Sequence, residues 1–373
     1  MTDLKYWLGF NLVKGIGPAK LQALLDYYGD IATAWRASKA DLARIGIDRR
    51  AIKTFVETRS TTDLDAYLAR VNNSGAKVLT WESPDYPRYL REAPAPPPVL
   101  YVAGDLLEAD RWAVAVVGTR RKSDYGEQVT RELVSGLVHN NVTIVSGLAR
   151  GIDFIAHDTA VKQGGRTIGV LGSGIDHIYP PEHRNLARKI VKERRGAIIS
   201  DYPLGTEPES KNFPPRNRII SGLTLGVLVI EAGKRSGALI TANYALEQDR
   251  EVFAVPGKIT SYRSAGTNRL IQQGAKLVTQ VEDILEELNL TMVPQQVAVQ
   301  MVAPESAEEV ALLEHLSPEP LHIDELCRAS GLDMSKVSST LALMELKGMV
   351  QQVGGMRYAL LREPGPTYET DAG

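Results

Sequence analysis

Between residues 112 and 278 the chain repeats one unit, a short apolar run followed by a helical stretch. The runs are Trp112–Val117, Val142–Val145, Thr167–Leu171, Ala197–Ile199, Leu225–Ile230, Glu251–Val255 and Lys276–Val278. Val, Ile and Ala dominate them, with little polar alternation. A strand buried on one face alternates apolar and polar residues, whereas a strand covered on both faces does not. The cover comes from helical stretches at 124–139, 151–163, 183–194, 213–222, 237–248 and 266–273. This pattern predicts an α/β fold with a doubly wound, Rossmann-like parallel sheet.

The flanks follow other patterns. Residues 1–75 read as a small helical module with breaks at Gly15-Ile16-Gly17-Pro18, Gly29 and Gly46. The first break is similar to a helix-hairpin-helix turn, and a bare helical corner fits it equally well. The Rossmann-like domain is expected over 76–289. Its first part, 76–110, forms an extended connector, because Pro94, Pro96, Pro97 and Pro98 exclude a helix. Leu90, Val99, Leu100 and Tyr101 in that connector call for burial. Residues 290–306 read as a linker. Three helical stretches and a Gly354-Gly355 hairpin over 307–362 outline a winged helix, and 363–373 is expected to be a disordered tail.

Composition narrows the function. No run reaches the roughly 18 apolar residues of a membrane span. The lone Cys327 rules out an internal disulfide framework and a cysteine-rich zinc site. The N-terminus lacks a secretory layout. A cytoplasmic protein without membrane, metal or cofactor is expected. The net charge of −2 conceals an asymmetry. Residues 111–270 carry 23 Lys and Arg against 15 Asp and Glu, while 271–373 carry 6 against 16. A basic centre suits a polyanion, and chance distribution over solvated faces is the plain alternative. The acidic end suits a protein contact or an autoregulatory cover better than a second DNA-binding module.

Ligands of such sheets bind beyond the carboxyl ends of the strands. Here those ends carry Gly118-Thr119-Arg120, Ser146-Gly147 with Arg150, Gly172 and Gly174, and Arg235-Ser236. Glycine turns let backbone N–H groups approach phosphate, and the following helix adds a positive end. The helix before the fifth strand opens with Lys211, Phe213, Arg216, Asn217 and Arg218, cations interleaved with a ring, which is the mixture that holds single-stranded nucleic acid. The other reading places Phe213 in the core, with Pro214-Pro215 merely starting a helix. No Gly-x-Gly-x-x-Gly or Walker lysine motif accompanies the first strand. Asp153 and His157 lie four apart on a helix and read as a surface or capping pair.

Six motifs in this order resemble the DNA-processing protein A (DprA/Smf) family. They are Ser146-Gly-Leu-Ala-Arg-Gly-Ile-Asp153, Gly172-Ser-Gly174, Phe213-Pro-Pro-Arg-Asn-Arg-Ile-Ile-Ser-Gly222, Glu231-Ala with Ser236-Gly-Ala-Leu-Ile-Thr241, Val255-Pro-Gly257 and Gly266-Thr-Asn-Arg-Leu-Ile271. The resemblance implies a non-enzymatic recombination mediator that binds single-stranded DNA, forms homodimers, and loads RecA recombinase in natural transformation. It places the strand-binding surface on the Thr119-Arg120 turn and the Lys211–Arg218 segment. On this reading, Arg120→Ala and Arg216→Ala each lower DNA affinity by about 1–3 kcal/mol without unfolding the domain. The rival is an enzyme acting on a nucleoside phosphate, with Glu231 as an exposed general acid/base at a strand end.

Overall fold

The computed structural model describes residues 3–290, 306–317, 320–346, 349–352 and 355–360. The chain divides into two compact units, Met1–Pro294 and Gln295–Gly373.

The first unit opens with α1 (Leu4–Leu12), α2 (Pro18–Tyr28), α3 (Ile31–Trp35), α4 (Lys39–Arg44), α5 (Arg49–Thr61) and α6 (Leu64–Asn73). Asp30, Ser38, Asp48 and Asp63 cap α3 to α6 by accepting from backbone N–H groups of the first turn. Then come β1 (Lys77–Thr80), α7 (Arg88–Glu92) and β2 (Val99–Gly104). The alternating part runs β3 (Ala113–Val117), α8 (Asp124–His139), β4 (Thr143–Ser146), α9 (Ile152–Lys162), β5 (Thr167–Val170), α10 (Arg184–Lys192), β6 (Gly196–Ser200), α11 (Phe213–Gly222), β7 (Gly226–Val229), α12 (Gly237–Glu247), β8 (Glu251–Ala254), α13 (Ala265–Gln272), β9 (Lys276–Leu277) and α14 (Glu282–Glu287).

These strands form one sheet in the order β1-β2-β6-β5-β4-β3-β7-β8-β9. From β6 to β9 every pairing is parallel, as the apolar runs predict. Ala113, Ala115 and Val117 of β3 enter the core on one face, and Val114 and Val116 enter the core on the other. Each strand is therefore apolar throughout. The expected connector does more than pack against this sheet. Its β1 and β2 pair antiparallel, and β2 pairs antiparallel with β6, extending the sheet at one edge.

The N-terminal helices share a core with the α/β part. Trp7, Phe10, Leu24 and Phe55 cluster with Val99, Tyr101, Ile175 and Leu204. Polar bonds fix the same contact: Asn11 Nδ2 donates to the Asp201 carbonyl at 3.0 Å, and the Leu204 amide donates to the Tyr67 hydroxyl at 3.0 Å. At the Gly15–Pro18 turn, Lys20 Nζ bonds the Gly15 carbonyl at 2.8 Å and Asp48 at 2.5 Å. That cation is engaged inside the module.

The second unit contains α15 (Ala307–Leu313), β10 (Leu321–His322), α16 (Ile323–Ser330), α17 (Met334–Leu346), β11 (Val350–Gln352) and β12 (Arg357–Leu360). Its antiparallel sheet has the order β10-β12-β11, the arrangement of a winged helix. Leu312, Leu326, Val337, Leu341 and Tyr358 are among its buried core. The short β10 is additional to the sequence expectation. The expected linker, apart from its end residues Leu290 and Ser306, and the whole of the expected tail lie outside the described residues. Among the described residues no helix is long and apolar enough to cross a membrane.

Candidate nucleic-acid interface

Strands β4, β5 and β6 lie successively to one side of β3, and β7, β8 and β9 lie to the other. The chain therefore reverses direction across the sheet between β3 and β7. Such a switch point opens a crevice at the carboxyl ends of the strands. A cleft of about 740 Å³ occupies it. Gly118, Thr119, Arg120 and Arg121 line it from the end of β3, and Gly233, Arg235 and Ser236 line it from the end of β7. Phe213, Arg216 and Asn217 enter from α11, and Tyr262 and Arg263 from the loop before α13.

Phe213 organises the middle of the cleft. Its ring is partly exposed and lies against Gly172, where a β-carbon would come within 2.7 Å of Phe213 Cδ1. The Arg120 guanidinium lies 5.5 Å from the ring centroid, within cation–π range, and the Tyr179 ring lies 5.7 Å away. Arg120, Arg121, Arg235 and Arg263 are exposed. Arg263 Nε donates to the Arg121 carbonyl at 2.8 Å, tying one wall of the cleft to the other. Ser236 caps α12, aiming the positive end of that helix at the cleft. Thr119 Oγ1 accepts from the Arg121 amide at 3.2 Å and shapes the turn after β3. Asn217 sits beside Ser236, with its Nδ2 donating to the Gly237 carbonyl at 3.4 Å.

Other expected contacts have different places. Arg216 is 4% exposed. Its Nη1 donates to the Gly147 carbonyl at 3.0 Å and to the Val170 carbonyl. Gly147 lies between Arg216 and Asp153, and a β-carbon there would stand 2.7 Å from Arg216 Nη2 and 2.8 Å from Asp153 Oδ2. A larger residue would push these two side chains out of their present places. Asp153 Oδ2 accepts from the Gly147 amide at 3.1 Å. Burial raises the Asp153 carboxyl pKa against the pull of Arg216, and burial lowers the Arg216 pKa to about 10 against the pull of Asp153. Arg216 is therefore part of the cleft floor, held by the protein itself, and not the exposed contact that the sequence suggested.

Arg218 points away from the cleft. It pairs with Asp201 at 2.7 Å and donates to the Ala95 carbonyl at 3.0 Å. Ser146 is buried and donates to the Val116 carbonyl at 2.7 Å. Gly174 is packed against Pro203 and Asp176. Lys211 and Arg150 are exposed outside the cleft wall and pair with Glu209 at 2.6 Å and Glu182 at 2.5 Å.

Asp153 and His157 are neither on the surface nor paired with each other. His157 is fully buried and bonds Thr167 Oγ1 through Nδ1 at 2.6 Å. Thr167 Oγ1 donates to the Ile144 carbonyl at 2.8 Å, so it accepts from His157 Nδ1–H. Burial lowers the His157 pKa to about 3. Glu231, the carboxylate of the rival reading, is only 3% exposed. Its oxygens accept from the Ser123 amide at 2.9 Å and the Ser123 hydroxyl at 2.5 Å, at the start of α8. It is not an exposed acid/base.

Sequence reading missed Tyr262 and Arg263. Tyr262 is 71% exposed with one edge of its ring against Gly233. The signal was present: an aromatic beside an arginine, in a strand-end loop of the same sheet edge.

The fold and the cleft define a Rossmann-like protein whose switch-point cleft is lined by exposed arginines and aromatic rings. Residues 77–289 match the profile of the family described as DNA recombination-mediator protein A, and residues 296–356 match that of the DprA winged helix domain. Protein Smf of Synechocystis sp. is 36% identical over 394 residues, covering 96% of this chain and 98% of that protein. DNA processing protein DprA of Bacillus subtilis is 43% identical over 249 residues, covering 66% and 82%. The crystal structure of DprA from Streptococcus pneumoniae aligns with a TM-score of 0.65 at 36% identity, covering 76% of this chain and 96% of that one. A structure of DNA processing protein A from Helicobacter pylori, concerned with its single-stranded DNA binding mode, aligns with a TM-score of 0.51 at 30% identity, covering 57% and 96%. The chain belongs to the DprA/Smf family of DNA-processing proteins.

Proposed function

We propose that this protein binds single-stranded DNA in the switch-point cleft and acts as a recombination mediator, protecting incoming DNA and loading RecA onto it in natural transformation. The observation that carries the reading is the partly exposed Phe213 ring under the Arg120 guanidinium, in a cleft rimmed by Arg121, Arg235 and Arg263. Bases stack on rings of any partner sequence, and cations neutralise phosphates. The one carboxylate lining the cleft, Asp153, is engaged by Gly147 and Arg216. The Helicobacter pylori relative supports the same ligand. Of the residues expected to touch DNA, Gly118, Thr119, Arg120, Phe213, Asn217, Arg235 and Ser236 are assigned direct contact. Arg216, Gly147 and Gly172 are assigned to shaping the cleft.

The reading extends to a cytoplasmic, non-enzymatic homodimer whose function rests on binding alone. The enclosure of Glu231 by Ser123 supports the non-enzymatic part. Fluorescence anisotropy of a labelled oligo-dT tests the cleft: Arg120→Ala should weaken binding by about 1–3 kcal/mol, and unchanged binding would remove the site. RecA filament assembly on DNA coated with single-strand-binding protein tests the mediator role. Failure of the wild-type protein to speed assembly would refute it.

A further inference from the structure

The densest run of positive charge in the central region lies outside the cleft. Residues 184–195 hold Arg184, Arg188, Lys189, Lys192, Arg194 and Arg195 against the single carboxylate Glu193. Helix α10 places the first four of them on one side. Its Leu186, Ala187 and Ile190 are buried, while Arg184, Arg188, Lys189 and Lys192 are exposed. Arg184, Arg188 and Lys192 follow each other at four-residue spacing, so they form a single file along the helix. Successive members rise about 6 Å. Among the described residues none of these three joins an ion pair, although the remaining surface is rich in them. Like charges four apart repel, so the row is unfavourable for an isolated helix and favourable only beside an anion.

The row begins where the cleft ends. Tyr179, whose ring lies 5.7 Å from that of Phe213, is followed by Pro180, the short turn Pro181–His183 and then Arg184. His183 Nδ1 bonds the Leu148 carbonyl at 2.8 Å, fixing the head of α10 to the loop after β4 at the same sheet edge. Arg150, on that loop, meets Glu182 in the turn, which neutralises the junction without reaching the row.

We infer that single-stranded DNA leaving the cleft at Phe213 and Tyr179 continues along α10, with its phosphates on Arg184, Arg188 and Lys192. The inference rests on the cleft reading and lengthens it. The contacts are purely electrostatic and sequence-independent, and bases along this stretch face outward, free for a partner protein.

The test compares the wild-type full chain with the triple variant Arg184→Gln, Arg188→Gln, Lys192→Gln. Two oligo-dT probes are used, one filling only the cleft and one long enough to run along α10. Each phosphate contact to a single strand adds about 0.7 to the slope of log affinity against log salt. The variant should therefore lose about 2 from the slope with the long probe, and about 100-fold in affinity at 0.1 M salt. Binding of the short probe should be unchanged. An unaltered slope and an unaltered long-to-short affinity ratio would overturn the inference while leaving the cleft in place. A loss confined to duplex DNA would overturn it too, in favour of a separate duplex site. A wild-type protein that binds neither probe would instead refute the cleft reading on which the inference stands.

Discussion

Replacing Arg216 by Ala should unsettle the fold before it reports on DNA. The guanidinium sits in the floor of the cleft and donates to the carbonyls of Gly147 and Val170. It also offsets the buried charge of Asp153. Losing a charged donor costs about 1.5–3 kcal/mol per hydrogen bond, and stripping a buried charge of its partner costs about 3–5 kcal/mol in all. These overlapping losses give an estimate of about 3–5 kcal/mol. For a unit of this size 1 kcal/mol moves Tm by roughly 2–4 °C, so a fall of roughly 6–20 °C is expected. Thermal melts followed by far-UV circular dichroism measure it, with Arg120→Ala as the reference that leaves the midpoint in place. Adding Asp153→Asn to Arg216→Met should recover part of the loss, because the orphaned charge is gone. A stable Arg216→Ala variant with selectively weakened DNA binding would refute the structural assignment and restore Arg216 as a direct contact.

Three further outcomes follow from the same geometry. Phe213→Ala should cost about 1–3 kcal/mol in oligo-dT affinity while leaving the salt slope unchanged, since stacking releases no counterions. Tyr262→Ala should behave likewise, because its ring is exposed with one edge against Gly233, and quenching of a 2-aminopurine-labelled strand would register the lost stacking. His157 is held near a pKa of about 3, against 6.5 in the unfolded chain. As pH falls below about 6.5 the unfolded chain takes up a proton that the folded chain refuses. Stability from this group is complete above pH 6.5 and declines by about 1.4 kcal/mol per unit down to about pH 3. His157→Asn should flatten a stability–pH profile by that amount, and an identical profile would contradict the burial argument.

The parallel sheet was legible because burial on both faces leaves an uninterrupted Val, Ile and Ala signature at β3 to β8. The antiparallel edge was not legible, because β1 and β2 flank a proline-dense stretch and their pairing depends on the free edge of β6, a partner distant in sequence. In the cleft, Gly118, Arg120 and Arg235 were readable from the rule that strand ends hold ligands. Arg216 and Arg218 were assigned to the surface on residue type. Helical spacing carries the opposite signal for Arg216, which shares a face with the buried Ile219 and Ile220 three and four positions on. Burial of an arginine depends on the carbonyls and carboxylates that surround it, and Gly147, Val170 and Asp153 arrive from the ends of β4 and β5 and the start of α9. Glu231 followed the same logic, since its partner Ser123 is 108 positions away.

The measurement that bears most directly on the central claim is the affinity of the full chain for oligo-dT across a salt series, for wild type and Arg120→Ala. A cleft that neutralises phosphates predicts log affinity falling linearly with log salt, and a shallower line by about 0.7 once Arg120 is gone. Binding that ignores salt, or two parallel lines of equal height, would contradict the account.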